Sequence, residues 1–137
     1  MIEIWKDIKG YDGIYQISNF GRVRSVDRVV YGRLSYKNGR LVKGKLLSLR
    51  KGKEGYVRVN LNKDGIKTTY DVHKLVADAF MDNPSNLPQI NHKDENKTNN
   101  HVGNLEYCDS YYNTNYGTRN ARISNSLKHS TYCQTIK

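Results

Sequence analysis

The sequence has few of the residues that mark disulfide-rich, zinc-thiolate or membrane proteins. Its 137 residues include two cysteines, Cys108 and Cys133, and two prolines. Two cysteines are too few for a disulfide framework or a four-cysteine zinc site, and they suit a reducing compartment. The chain has no run of about 18 apolar residues, and its N-terminal segment lacks the basic and apolar regions of a secretory signal. These absences predict a cytoplasmic protein that does not cross a membrane.

Acidic residues are scarce in the first half of the chain. Residues 1–67 hold 16 lysines and arginines against 6 acidic residues, whereas residues 68–137 hold 7 of each. The formal charge of +10 therefore comes entirely from the first half. A basic face can serve solubility alone, but charge concentrated in this way is also typical of a module that binds a polyanion. The second half is instead rich in asparagine, which favours turns and supplies neutral oxygen ligands.

The spacing of apolar residues predicts short strands and turns in the first half. The pair Asn38-Gly39 indicates a hairpin turn, and residues 41–50 continue as a strand. Side chains alternate over residues 56–72 around a turn at 62–65, which indicates a second hairpin. The first half is therefore expected to be β-rich.

A helix and a strand–loop–strand–helix unit are predicted for the second half. Residues 72–80 have helical spacing, and Asp71 precedes them as the expected N-cap. Residues 89–116 then follow the pattern of a strand, a long polar loop, a strand and a helix, with Asp109 as the cap of that last helix. His73, at the start of the first helix, is assigned to capping or packing.

Four polar residues of this unit have a specific spacing. Asn91 and His92 end its first strand. Asn104 opens the second strand, and Asn113 lies in the final helix. With the surrounding stretch I-N-H-K-D-E-N-K-T-N-N-H-V-G-N-L-E-Y, they resemble the ββα-metal (His-Me finger) motif of the phage- and intron-encoded HNH homing endonucleases. The helical stretch V-H-K-L-V-A-D-A-F is also similar to that family, and residues 3–25 resemble the NUMOD-type DNA-binding motif that accompanies these nucleases.

The resemblance implies a role for each of the four residues. His92 would be the general base that activates a water molecule, and Asn104 would pin the loop and help to orient that base. Asn91 and Asn113 would bind one divalent metal ion, Mg²⁺, with Mn²⁺ as a substitute. Imidazole is a suitable base near neutral pH, and a hard cation with oxygen ligands would stabilise the leaving oxygen. Many HNH sites have Asp or His where this chain has asparagine, so we expect weak, millimolar-range metal binding.

Basic side chains would hold the DNA. A two-stranded ribbon fits the major groove, where arginine can bind guanine, whereas other arginines contact only phosphates. The sequence does not divide the basic residues between these two roles. The residues predicted to bind DNA are Arg22, Arg24, Arg28, Arg50, Arg58, Lys97, Arg119 and Arg122.

The sequence therefore predicts an α+β protein in three parts. Residues 1–67 form a basic, β-rich NUMOD-type DNA-binding segment. Residues 68–117 form the HNH ββα-metal nuclease module with its preceding helix, and residues 118–137 form a C-terminal helix and tail. The expected activity is metal-dependent hydrolysis of double-stranded DNA. A monomer is favoured, which would nick one strand, and the resemblance suggests a phage or mobile-element origin in a bacterial host.

Two alternatives stay open at this stage. Neutral metal ligands are compatible with a decayed nuclease that still binds DNA but no longer cuts it. RNA cleavage or RNA binding is a weaker alternative, because the sequence carries no RNA-recognition signature.

Overall fold

The computed structural model describes residues 1–32 and 38–117, and this part of the chain has the predicted α+β architecture. Within these residues, four small antiparallel sheets are joined by turns and loops, one helix packs against three of the sheets, and a second helix follows the last strand. The strands are β1 (Trp5–Asp7), β2 (Tyr15–Ser18), β3 (Val23–Ser25), β4 (Arg28–Val30), β5 (Arg40–Val42), β6 (Arg50–Lys51), β7 (Val57–Lys63), β8 (Ile66–Asp71), β9 (Gln89–His92) and β10 (Leu105–Cys108). The helices described are α1 (Val72–Phe80) and α2 (Ser110–Asn115), and a short 3-10 helix spans Val102–Asn104.

The predicted second hairpin is confirmed as the β7–β8 pair. The two strands pair from Arg58 opposite Asp71 to Lys63 opposite Ile66. Asp64 and Gly65 connect them with φ values of 52° and 77°, which are the two successive positive values that a tight hairpin turn requires. The alternation of buried and more exposed side chains on β7 directs this hairpin against the core.

Helix α1 begins where the sequence predicts, but its start is not capped as predicted. Asp71 occupies the N-cap position without a capping side-chain hydrogen bond. Its carboxylate instead accepts a hydrogen bond from Arg58 Nε at 3.0 Å and lies 3.5 Å from Lys74 Nζ. The Asp71 carboxylate, which was predicted to cap the helix, therefore binds the arginine on the neighbouring strand instead. At α2 the prediction is confirmed, because the Asp109 side chain accepts from the Tyr112 N–H at 2.7 Å.

The strand predicted over residues 41–50 is interrupted. Only Arg40–Val42 and Arg50–Lys51 form strands, and between them Leu46 makes a single bridge to Arg24. Gly44 explains the break: its backbone lies so close to Ser25 that a Cβ would sit 2.3 Å from the Ser25 carbonyl oxygen. The chain bends over β3 here instead of extending the ladder.

One hydrophobic cluster joins the first and second halves of the chain. It includes Ile17 of β2, Val23 of β3, Leu61 of β7, Val76 of α1 and Leu105 of β10, all of which are almost completely buried. The predicted division at residue 67 falls within β8, and the three-part organisation stays a prediction. Within the described residues, no helix is long and apolar enough to cross a membrane. The predicted C-terminal helix, with Arg119 and Arg122, lies outside the described residues.

Candidate active site

His92 lies at the end of β9, where the strand meets the polar loop. Its ring is buried, with 5% of the residue exposed, and its Nε2 lies 2.8 Å from the Asn100 Oδ1. Because an amide oxygen can only accept a hydrogen bond, Nε2 must carry the proton. The Nδ1 atom of the neutral ring therefore bears the lone pair, which makes it the atom that can accept a proton.

The asparagine whose side chain forms a hydrogen bond with the His92 ring is Asn100 and not Asn104. The Asn104 amide nitrogen donates to Asp94 Oδ1 and to the Asn99 carbonyl oxygen, both at 2.9 Å, and its oxygen accepts from the Asp94 N–H at 3.0 Å. Asn104 thus pins the loop, as expected, but the orienting contact to the base that we assigned to it comes from Asn100. The sequence offered no signal for this choice, since the loop contains several asparagines of equal chemistry.

The two predicted metal ligands, Asn91 and Asn113, are both held by their amide nitrogens. Asn91 Nδ2 donates to Glu106 Oε1 at 2.9 Å, and Asn113 Nδ2 donates to Gln89 Oε1 at 2.8 Å. Gln89 and Asn91 are two residues apart on β9, so their side chains share one face of the strand. The bond to Gln89 therefore holds Asn113 of α2 towards the face that carries Asn91. In each amide, the oxygen is the atom that could bind a cation.

This donor set fits a hard divalent cation. Such ions prefer oxygen ligands and keep several waters, so two amide oxygens plus water and phosphate oxygens would suffice. No group of three or more His, Cys, Asp or Glu side chains forms a metal cage among residues 1–32 and 38–117. Sequence reasoning missed Glu106, whose buried carboxylate is opposite Asn91 in the β9–β10 ladder. The Glu106 carboxylate is therefore hydrogen-bonded directly to Asn91, one of the two proposed metal ligands.

Two rings and one ammonium group lie near His92. The His73 ring lies edge-on to His92 with centroids 5.2 Å apart, and Tyr56 lies 4.9 Å from His73 and 6.0 Å from His92. The Lys97 Nζ sits 4.6 Å from the Tyr56 ring centroid and donates to the Glu54 carbonyl oxygen at 2.8 Å. Tyr56, the residue before β7, thus brings an aromatic ring close to His92, and Lys97 of the polar loop holds a positive charge over that ring.

Burial determines the protonation of both histidines. It lowers the pKa of His92 below its ordinary value, while the hydrogen bond with Asn100 and the charge of Asp94 act in the opposite direction. Burial, followed by the nearby His92, lowers the pKa of His73 to about 4. The buried Nδ1 of His73 has no hydrogen-bond partner among residues 1–32 and 38–117. Both rings are therefore neutral at pH 7, which is the form in which His92 can act as a base.

The lowered pKa of His73 predicts a loss of stability in acid. Below its ordinary pKa of 6.5, the unfolded chain binds a proton that the folded protein rejects, so stability falls as the pH falls from 6.5 towards 4. We expect this residue to account for a loss of about 2 kcal/mol in the free energy of unfolding between pH 7 and pH 5. Urea unfolding of the wild type and of His73→Gln at both pH values measures it. An equally steep decline in the variant would contradict the prediction.

Several of the arginines predicted to bind DNA have partners within the protein. Arg22 forms a two-pronged ion pair with Glu3. Arg24 donates two hydrogen bonds to Gln16 Oε1 and lies 4.2 Å from the Trp5 ring centroid. These contacts orient the guanidinium groups along β1–β3. Of the other predicted residues, Arg28 lies in β4, Arg50 bonds to Asn60, Arg58 bonds to Asp71, and Lys97 lies beside the candidate site.

Sequence comparison identifies the N-terminal segment. Residues 3–62 match the family model described as the NUMOD4 motif. This match covers the sheets β1–β3 and β4–β5 together with most of β7, and it contains Arg22, Arg24, Arg28, Arg50 and Arg58.

Related proteins extend the match across the candidate site. The chain is 39% identical, over 93% of its length, to an uncharacterized HNH endonuclease of Acanthamoeba polyphaga mimivirus, and it spans 32% of that protein. It is 40% identical, over 75% of its length, to the DNA endonuclease I-HmuI of Bacillus phage SP01, and it spans 51% of that protein. The solved structure titled "DNA binding and cleavage by the HNH homing endonuclease I-HmuI" aligns with 90% of the chain and 62% of its own length, at 36% identity and a TM-score of 0.66.

The fold thus matches that of a solved HNH endonuclease and carries an N-terminal NUMOD4 motif, and the resemblance predicted from the motifs is confirmed. The chain is similar to HNH endonucleases across the candidate site, and the phage endonuclease I-HmuI is such a relative with a solved structure. The chain spans 51% of the length of I-HmuI and 32% of the length of the mimivirus relative.

Proposed function

We propose that the protein is a metal-dependent HNH endonuclease that hydrolyses phosphodiester bonds in double-stranded DNA and nicks one strand. The observation that carries this proposal is the buried His92 whose Nε2 is bonded to Asn100, at the end of the strand that also bears Asn91. Support also comes from the relatives, which are named as HNH endonucleases, and from the solved relative, whose title names DNA binding and cleavage. The basic NUMOD4 segment would hold the duplex.

In the proposed reaction, His92 Nδ1 takes a proton from a water molecule. The oxygen of that water attacks phosphorus, the bond to the 3′-oxygen breaks, and the 3′-oxygen takes a proton from solvent. The products are a 5′-phosphate and a 3′-hydroxyl. Bound by the oxygens of Asn91 and Asn113, Mg²⁺ or Mn²⁺ would supply positive charge beside the phosphate and the leaving oxygen.

The surroundings of His92 suit this role. Asn100 keeps the proton on Nε2, so that the ring presents its basic atom consistently. Burial keeps the ring neutral near pH 7, and the ammonium group of Lys97 is placed to attract a phosphate. Because the bond to Asn100 fixes the ring, the protein itself would set the position of Nδ1 relative to an attacking water.

Conversion of supercoiled plasmid tests the proposal directly. With Mg²⁺ or Mn²⁺ the protein is expected to produce open circles, because a single module cuts one strand, and EDTA should stop the reaction. Formation of linear DNA at the first turnover would contradict nicking by a monomer. A failure of both metals to support any conversion would contradict the enzyme and favour a protein that only binds DNA.

That second function, DNA binding without cleavage, is favoured by one observation. Both proposed metal ligands are neutral amides, which bring no charge of their own to a divalent ion. The buried Glu106 carboxylate beside Asn91 argues in the opposite direction, because it places a negative charge next to the proposed ion.

A further inference from the structure

The turn between β2 and β3, within the NUMOD4 segment, packs directly against the loop that supports His92. Gly21 has a φ of +87°, and a Cβ at this position would lie 2.9 Å from the Asn100 Cβ and 3.0 Å from the Asn100 carbonyl oxygen. Contacts of this length do not occur between real side chains, so the approach requires glycine. Asn100 is itself 4% exposed and leaves little room for a shift.

Two further contacts secure the same turn to the same loop. The Val102 N–H donates to the Asn19 carbonyl oxygen at 2.9 Å. The Phe20 and His101 rings stack with centroids 5.1 Å apart and an interplanar angle of 25°. Three consecutive residues of the turn therefore contact three consecutive residues of the loop, and one end of this contact is the pair Gly21–Asn100.

The turn is equally well anchored on its own side. Asn19 is 5% exposed, its Oδ1 accepts from the Ile4 N–H at 2.7 Å, and its Nδ2 donates to the Ile2 carbonyl oxygen at 3.1 Å. The Ser18 Oγ accepts from the Arg22 N–H at 3.1 Å. Arg22, a predicted DNA-binding residue, is thus one residue away from the glycine that backs Asn100.

We propose that Gly21 is a positioning residue for catalysis: the Asn19–Gly21 turn of the DNA-binding segment holds Asn100 in place, and Asn100 in turn holds the ring of His92. The inference rests on the proposed function, because His92 acts as the base there. It assigns the NUMOD4 segment a second task besides binding DNA. The geometry of the base then depends on a segment that itself contacts the duplex, so that DNA engagement and catalysis share one structural element.

Substitution of Gly21 by alanine tests this proposal, with Gly10→Ala as the matched control. Gly10 has a φ of +85°, nearly the same as Gly21, but a Cβ there would meet nothing within 4 Å. Both variants therefore carry the same backbone strain, and only one of them pushes on Asn100. We expect Gly21→Ala to lower kcat about a hundredfold through misplacement of the base, with the Kd for duplex DNA unchanged, whereas Gly10→Ala keeps kcat at the wild-type level.

A double variant determines whether the effect passes through Asn100. In an Asn100→Ala background the orienting acceptor is already lost, so adding Gly21→Ala should cause no further loss of kcat. A multiplicative loss in the double variant would overturn the proposal. Phe20→Ala removes the stacking of Phe20 on His101 and so weakens the contact between turn and loop without introducing a clash. This variant replaces Gly21→Ala in the test if Gly21→Ala does not fold. It is expected to lower kcat in the same direction, again with unchanged DNA affinity.

A readout without DNA or metal separates this inference from the proposed function. The ¹⁵N shifts of the His92 ring, measured at mildly alkaline pH, report which nitrogen carries the proton. We expect a single Nε2–H form in the wild type and in Gly10→Ala, and a mixture of forms in Gly21→Ala. If the wild type cuts no DNA but the ring shifts follow this pattern, the proposed function fails and the positioning role stands. A single Nε2–H form in Gly21→Ala, together with wild-type kcat, would overturn the positioning role alone.

Discussion

Replacement of His92 by glutamine is expected to lower the rate of DNA cleavage by about 10²- to 10⁴-fold, which is the usual contribution of a general base. The glutamine amide can still donate a hydrogen bond to Asn100, but it cannot take a proton from water. The fold and the affinity for duplex DNA should therefore persist. Single-turnover cleavage of a nickable duplex, together with binding measured in EDTA, checks both parts of this expectation.

His73→Gln is the matched control for that experiment. It removes a second buried imidazole from the same cluster, 5.2 Å from the first. We expect this variant to keep cleavage within about tenfold of the wild type, because its ring lacks the orienting bond that His92 has. If His73→Gln lost as much activity as expected for His92→Gln, and His92→Gln remained active, the base would be assigned to the wrong histidine.

Replacement of either Asn91 or Asn113 by alanine is expected to raise the metal concentration for half-maximal cleavage by about 10- to 100-fold. Each change removes one oxygen ligand from a site that has few, and removal of the metal by EDTA should abolish cleavage altogether. Metal titrations of the cleavage rate measure the effect for Mg²⁺ and Mn²⁺. Asn83→Ala is the matched control, because the Asn83 amide bonds only within its own loop, to Leu87.

Asn91→Asp is expected to act in the opposite direction. A carboxylate is a stronger ligand for a hard cation, so the half-maximal metal concentration should fall. Without metal the new carboxylate lies against the buried Glu106, and two like charges at this distance destabilise the fold. The melting temperature should therefore drop in EDTA and recover with Mg²⁺. Unchanged metal requirements in Asn91→Ala, Asn113→Ala and Asn91→Asp would show that the ion binds elsewhere.

The elements that were predicted well are those determined by neighbouring residues. The alternation along β7, the turn at Asp64 and Gly65, and the helical spacing of α1 each depend on contacts within a few residues. The same holds for Asp109, whose capping bond spans three residues. Local periodicity and turn chemistry carry this information, because the physical preference acts over the length of one element. The family resemblance predicted the candidate site residues in the same way, from spacing along the chain.

The contacts that were missed all join distant parts of the chain. Asp71 was expected to cap α1, yet the arginine across the hairpin takes its carboxylate. Asn100 was one of several equivalent loop asparagines until the approach of Gly21 distinguished it. Nothing in the sequence distinguished Glu106 from the other residues of its strand, and only the β9–β10 pairing shows that it lies opposite Asn91 and bonds to it.

The sequence by itself thus determined the β7–β8 hairpin, the helices α1 and α2, the excess of positive charge in residues 1–67 and the four residues of the motif. Only the tertiary structure decided which asparagine bonds to the proposed base, His92, which carboxylate lies beside the proposed metal ligand, and that the basic segment packs against the loop that supports His92. The physical reason is that a polar side chain has several partners of similar energy nearby. The choice between them is made by the packing of segments that lie far apart in sequence.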